Sequence, residues 1–340
     1  MRISKISILI VFLFCGQHAW SQIAGFYDGK MQEIKTTSTK KTSQKSTFLS
    51  FSFGPSNYLG DLGGNSGKGH KFIRDNNFKQ KTFMYGVSLS RIWKEAIGYR
   101  LSYVNGNIAG SDQDAEYKNK EDAAYNRFKR NLDFKSKIVE GSLLVEMYPF
   151  KFIPSRCKLH QWNFQPYLLF GIGIFSFNPQ GSYYDDIVED NVWVDLPPLH
   201  TEGQGFAEYE SRKTYALTQT NLPYGIGFVY PLGIKTSLAF EFVGRKLHTD
   251  YLDDVSTTYI DASLFDTYLN TEDAQLAKMV NNKSNLIDPD NPFTTNQQRG
   301  NPSNNDFYYS FNVKFSIQIN KAKSTAAHTQ FKYDDMELCY

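Results

Sequence analysis

Phe307–Asn320 reads FYYSFNVKFSIQIN. Every second residue from Tyr309 is apolar: Tyr309, Phe311, Val313, Phe315, Ile317 and Ile319. Between them stand Ser310, Asn312, Lys314, Ser316 and Gln318. A period of two is the strand period, and it sorts the side chains onto two unlike faces. The preceding segment repeats it. Ile234, Thr236, Leu238, Phe240 and Phe242 share one face, opposite Lys235, Ser237, Ala239, Glu241, Val243 and Arg245.

Working back toward the N-terminus, the alternation recurs. It is carried by Phe83, Tyr85, Val87 and Leu89, and by Ile97, Tyr99, Leu101 and Tyr103. Val139, Leu143, Val145 and Met147 follow, facing away from Glu140, Ser142, Leu144 and Glu146. Leu168 to Ile174 and Tyr224 to Tyr230 complete the set, with Thr47–Phe53 as a short first strand. That makes eight strands.

The links sort by length. Short ones fall at Lys94-Glu95, at about 150–160 and at Pro231-Leu232-Gly233. Long ones run over about 58–79, 110–131, 178–212 and 247–305. Strict alternation of short and long links is the pattern of an outer-membrane barrel with short periplasmic turns and long outer loops. The expected fold is therefore all-β, an eight-stranded antiparallel transmembrane β-barrel. A soluble sandwich is the competing reading, but it gives no reason for links to sort by side. Within the longest loop, Leu264, Phe265, Tyr268, Leu269, Leu276 and Met279 space as one or two short helices over the barrel mouth.

Composition agrees. Aromatic residues are 16% of the 340, yet mean hydropathy is only −0.47, so the aromatics are dispersed through polar sequence. The 37 basic and 35 acidic residues nearly cancel, which argues against a general nucleic-acid binder. Residues 1–21 read as a secretory signal, with Arg2 and Lys5, an apolar core from Ile6 to Cys15, and Ala19-Trp20-Ser21 before the cut. Residues 22–46 read as a flexible periplasmic lead-in, 47–320 as the barrel, and 321–340 as a periplasmic C-terminal tail. Both termini are then periplasmic, and outer-membrane lipids are the first partners.

The polar face of the strands places Arg100, Glu140, Glu146, Lys235, Glu241, Arg245 and Lys314 inside. An interior of eight strands is just wide enough for side chains. Opposite charges there should pair, giving a plug and no pore. Cys157 falls in a periplasmic turn and Cys339 in the tail, so a disulfide between them is possible in that compartment.

Other motifs give less. Gly60–Gly69 (GDLGGNSGKG) departs from a phosphate loop, because Gly69 follows Lys68 where Ser or Thr is required. His248, Asp250 and Ser256 are residue types of a hydrolytic relay, but spacing alone does not join them. Asp253, Asp254 and Asp261 are calcium candidates by ligand type, without the EF-hand spacing. Residues 178–212 form an acidic loop, suited to divalent ions or a basic partner, or simply solvated. No catalytic set and no cofactor is expected.

Three stretches carry a resemblance. They are Phe53–Leu62 (FGPSNYLGDL), Thr249–Tyr259 (TDYLDDVSTTY), and Arg299–Pro302 (RGNP) with Asn305–Tyr308 (NDFY). Together they resemble the Bacteroidota outer-membrane β-barrel family that includes PorG of the type IX secretion system, over about 51–320. The motif residues are Tyr58, Gly60, Asp61, Tyr251, Asp253, Asp254, Arg299, Gly300, Asn301 and Pro302. The resemblance implies a non-enzymatic scaffold that fixes a periplasmic ring of PorK- and PorN-like proteins to the outer membrane. The lead-in and the tail lie outside the similarity. A surface binding or adhesion barrel, acting through its outer loops, is the alternative.

Overall fold

A computed structural model describes residues 45–63, 80–154 and 157–320. The leader, nearly all of the lead-in, the glycine run after Gly63, and the tail with Cys339 lie outside these residues.

The strands in chain order are β1 (Lys45–Leu59), β2 (Thr82–Trp93), β3 (Ile97–Ser111), β4 (Asp133–Met147), β5 (Gln165–Asp185), β6 (Asp190–Asp195), β7 (Thr218–Pro231), β8 (Thr236–Leu247) and β9 (Phe307–Gln318). Every pairing is antiparallel. β1 pairs with both β2 and β9, and β4 pairs with β5, so eight strands close on themselves. β6 stands outside the ring and pairs with the far end of β5. Closure leaves no edge, the condition for a sheet to span lipid. Among the described residues no helix is long and apolar enough to cross a membrane.

The alternation read from the sequence becomes two surfaces. Phe51, Tyr85, Leu101, Leu143, Ile172, Tyr224, Phe240 and Phe311 are exposed on the outside, one from each strand of the ring. Ser50, Ser88, Arg100, Glu146, Tyr167, Glu241 and Lys314 are buried inside. A soluble protein rarely exposes so continuous an apolar belt.

Three expectations need correction. The first strand does not end at Phe53 but runs to Leu59. Gly54-Pro55 looks like a turn, yet it sits inside the strand. A Cβ at Gly54 would lie 1.7 Å from the Phe311 carbonyl oxygen, so glycine permits β9 to approach. Second, the acidic loop is partly sheet. β5 continues to Asp185 and β6 returns from Asp190, with Gln180 opposite Asp195. At roughly 3.4 Å per residue, β5 far exceeds the ~10 residues that cross a bilayer. Third, Lys235 precedes β8 and is exposed at the short-turn rim, outside the interior network.

The turns obey local chemistry. Lys94 and Glu95 both take positive φ (50° and 60°), as the tight hairpin between β2 and β3 requires. Helix α1 (Ala123–Arg130), absent from the sequence reading, is capped by Asp122 and ends at left-handed Asn131. A short helix α2 (Lys158–Gln161) lies in the β4–β5 link. The last loop carries the expected pair, α3 (Ser263–Tyr268) and α4 (Thr271–Asn281). Asn270 caps α4, accepting from the Asp273 backbone N–H at 2.9 Å. Phe265, Ala274, Ala277 and Val280 pack with Leu196, Leu199, Phe206 and Ile260 into a second apolar core outside the ring.

Candidate functional site

The polar structure has three levels: the lumen, the long-loop end and the short-turn end. In the lumen, Arg100 on β3 donates from Nε to Glu146 at 2.6 Å and from Nη2 to Glu241 at 2.6 Å. The Lys314 Nζ lies 2.7 Å from Glu241 and 3.7 Å from Glu146. Tyr148 donates to Glu146 at 2.9 Å, and Tyr167 donates to Glu241. Two cations and two carboxylates thus neutralise one another away from water. A second group joins Glu140 to Arg245 (3.2 Å), Tyr308 (2.6 Å) and Asn221 (3.0 Å). Six of the seven interior candidates fall into these two groups; Lys235 does not.

At the long-loop end the three motif stretches meet. Tyr58 donates to Asp253, which also accepts from the backbone N–H groups of Leu62 (3.1 Å) and Val255 (2.9 Å). Asp61 accepts from the Asn301 backbone N–H at 2.5 Å. Arg299 donates to Glu202 at 2.8 Å and to the Asp254 carbonyl at 2.6 Å. Glu202 also accepts from Ser256 N–H, Thr257 N–H and the Thr257 hydroxyl. Asp254 accepts from the hydroxyls of Thr201 and Tyr215, the latter at 2.7 Å. A Cβ on Gly300 would lie 2.6 Å from both Asp61 Oδ2 and the Ser256 backbone, so the RGNP turn fits only with glycine. Tyr251 stacks on Tyr215 with centroids 4.9 Å apart. A Cβ at Gly60 would overlap the Tyr58 hydroxyl, so that glycine too permits a close approach.

Several hub residues were not singled out in the sequence. Arg130, at the end of α1, donates to Asp112 (2.7 Å) and to the carbonyls of Asp61 and Arg299 (2.5 Å each). Asp306, inside the NDFY stretch but not among its motif residues, accepts from the Leu252 N–H at 2.8 Å. Glu202 is one acid among several in the acidic 178–212 stretch, and nothing in its neighbours along the chain marks it as the partner of Arg299. Its one local signal is the pair of nearby glycines, Gly203 and Gly205, both at positive φ.

Burial perturbs the acids of this cap. It lifts Asp250 to about 9, helped by Asp61 and Asp253 nearby. It lifts Asp253 to about 7, again with Asp61. Asp254 rises only to about 6, because Arg299 opposes burial. Asp306 is raised by burial and then by Asp253 and Asp250. Neither Asp250 oxygen has a well-formed hydrogen bond, which a neutral carboxyl tolerates far better than a carboxylate.

The calcium candidates separate. Asp253 and Asp254 are buried and spent on hydrogen bonds, while Asp261 is exposed and accepts from the Ser263 N–H at 2.9 Å and the Ser263 hydroxyl at 2.8 Å. Among the described residues no group of three or more His, Cys, Asp or Glu is placed to hold a metal. His248 is exposed, whereas Asp250 and Ser256 are buried.

At the short-turn end the lumen opens into a recess of about 460 Å³, with Glu146 and Lys314 at its floor and Phe48, Ile92, Tyr148 and Val229 in its wall. The β4–β5 link overhangs it. Phe150, Trp162, Phe164 and Phe228 form a chain of ring contacts there. Lys151 holds this link by donating to the His160 carbonyl at 3.0 Å. Cys157 is in a disulfide. Its sequence-expected partner, Cys339, lies outside the described residues.

A family model described as a domain of unknown function (DUF6089) matches residues 34–192. No curated protein matches the sequence. The solved structures that are similar at low identity include three outer-surface or outer-membrane proteins. The attachment invasion locus protein Ail of Yersinia pestis, in complex with the heparin analogue sucrose octasulfate, has 8% identity and a TM-score of 0.34. It is covered over 99% of its length by 81% of this chain. Neisserial surface protein A has 8% identity, 99% and 81% coverage, and a TM-score of 0.33. A major outer membrane protein from Thermus thermophilus has 11% identity, 100% and 81% coverage, and a TM-score of 0.35. The barrel itself rests on its own strand pairing.

Proposed function

We propose that this chain is a non-enzymatic outer-membrane barrel. In this reading it is a PorG-like structural component of the type IX secretion system, anchoring a periplasmic ring of PorK- and PorN-like proteins. The apolar belt meets lipid, the long loops face outward, and both termini are periplasmic. The observation that carries the reading is the asymmetry of the lumen. It is filled by paired charges and sealed at the long-loop end, so the barrel passes no protein. Its short-turn end is open and bears the overhanging aromatic link with disulfide-bonded Cys157. A Cys157–Cys339 pair would hold the tail at that face.

The test is a mild-detergent pull-down from native membranes with mass spectrometry of what is retained. Recovery of ring proteins with the full chain, and their loss on deletion of residues 321–340, supports the anchor. A clean barrel with no periplasmic companion overturns it. One observation favours the adhesion reading: the β5–β6 hairpin tip exposes Tyr184, Ile187 and Val188 among four acids. Exchange of that hairpin leaves an anchor working and disables an adhesin.

A further inference from the structure

On the outer wall, above the belt, β3, β4 and β5 carry a recess of about 520 Å³. Thr82, Asn107, Lys135, Lys137, Gln180 and Trp193 line it. The odd-numbered residues of β4 face outward, as exposed Leu143 shows, so Lys135 and Lys137 face outward too. Lys137 pairs in register with Asn178, which is four residues beyond exposed Ile174 on β5. A rise of ~3.4 Å per residue and a tilt of ~40° put it about 10 Å above the lipid-facing row. That is the height of headgroups, where the layer beyond the hydrocarbon begins.

The chemistry at this height is cationic and unspent. Among the described residues neither Lys135 nor Lys137 has an ion-pair partner. The one acid lining the recess, Asp133, is already taken by Lys283 at 2.5 Å. Lys135 Nζ lies 4.2 Å from the Trp193 ring centroid, so the ring fixes the ammonium against the sheet while leaving its donors available. Asn107 adds an exposed amide to the wall, and Gln180 a half-buried one already donating to Asp195. Two lysines offer point charges to phosphate, while an indole and amides suit a sugar ring.

We infer that this recess binds the phosphorylated sugar headgroup of an outer-leaflet glycolipid. The inference rests on the outer-membrane placement proposed above and is independent of ring anchoring. A lipid held here ties one side of the barrel to the outer leaflet and fixes its depth.

The test uses the full chain in nanodiscs of phosphatidylcholine doped with lipid A, a phosphorylated glycolipid, with native mass spectrometry of the lipid retained. The wild-type chain is expected to enrich lipid A over phosphatidylcholine. Lys135→Gln/Lys137→Gln should lower that enrichment roughly tenfold or more, at about one surface-charge contribution per lysine. Lys135→Arg/Lys137→Arg should keep it. Trp193→Ala should lower it less than the double lysine change. Equal enrichment in wild type and the glutamine variant overturns the site. Displacement of lipid A by millimolar inorganic phosphate overturns the headgroup assignment in favour of a phosphate site. Fractionation of native membranes is run beside it. Absence of the wild-type chain from the outer membrane removes the premise, whereas correct fractionation without lipid A enrichment overturns only this inference.

Discussion

The two ends of the barrel treat polar groups in opposite ways. At the long-loop end, segments around 60–63, 112–130, 201–204, 249–258 and 299–306 fold onto one another. Asp253, Asp254, Glu202 and Arg299 are all buried there. At the short-turn end the lumen stays open, and Lys235 remains exposed at its rim. The difference is one of chain length. Only long loops reach across the mouth and exclude water, and once water is gone each polar group needs a protein partner. Short turns cannot reach, so their charges stay solvated and contribute little.

The sharpest way to break this contrast lies between the ends. Glu241→Ala leaves Arg100 and Lys314 facing Glu146 alone. It should cost about 3–5 kcal/mol, as for any buried pair that loses one member. Urea unfolding in detergent micelles measures it. If the lumen is wetter than described, the loss will be under about 1 kcal/mol, the range of solvated ion pairs.

Gly300→Ala tests the long-loop end. The added methyl meets backbone, which cannot swing aside, so about 1–3 kcal/mol is expected. The effect should be confined to the cap. Hydrogen exchange at Ser256–Thr258 should quicken while the strand amides keep their protection. Uniform loosening of the barrel would show that cap and wall are one cooperative unit.

Alkali should sharpen the contrast. A carboxyl whose folded pKa lies above its ordinary 3.8 favours the folded state when protonated. Its contribution is complete below about pH 4 and is lost as pH climbs through the folded values near 6, 7 and 9. Limited proteolysis should therefore find the cap opening between about pH 6 and 9, with the short-turn end unaffected. Asp250→Asn should remove the upper part of that window.

The smallest effect belongs to Lys235→Gln. An exposed rim charge with no ion pair among the described residues should change stability by no more than about 0.5 kcal/mol. A larger loss in the same urea measurement would place Lys235 in the lumen after all.

Most of the wall was legible in the sequence. Outward Phe311, Val313 and Phe315 and inward Ser310, Lys314 and Ser316 follow from a period of two, because successive strand side chains point to opposite faces. Strand ends were less legible. Gly54-Pro55 carries turn chemistry, and only the approach of the Phe311 carbonyl shows why the strand needs that glycine. Likewise the residues 178–195 looked like a solvated acidic loop, since the sequence does not show that Gln180 pairs with Asp195.

The cap was half legible. Its motif residues drew attention by resemblance, and Asp306 lies within the quoted NDFY stretch, but Arg130, Asp112 and Thr201 carry no local mark, being ordinary polar residues in separate segments. Local alternation and the sorting of link lengths determined the closed barrel, the apolar belt and the charged lumen, because those properties depend on neighbours along the chain. Tertiary structure decided which buried charge meets which, that Arg130 reaches both Asp61 and Arg299, and that Lys235 is left outside. Those outcomes depend on contacts between residues far apart in the chain, whose energies arise only when water has been excluded between them.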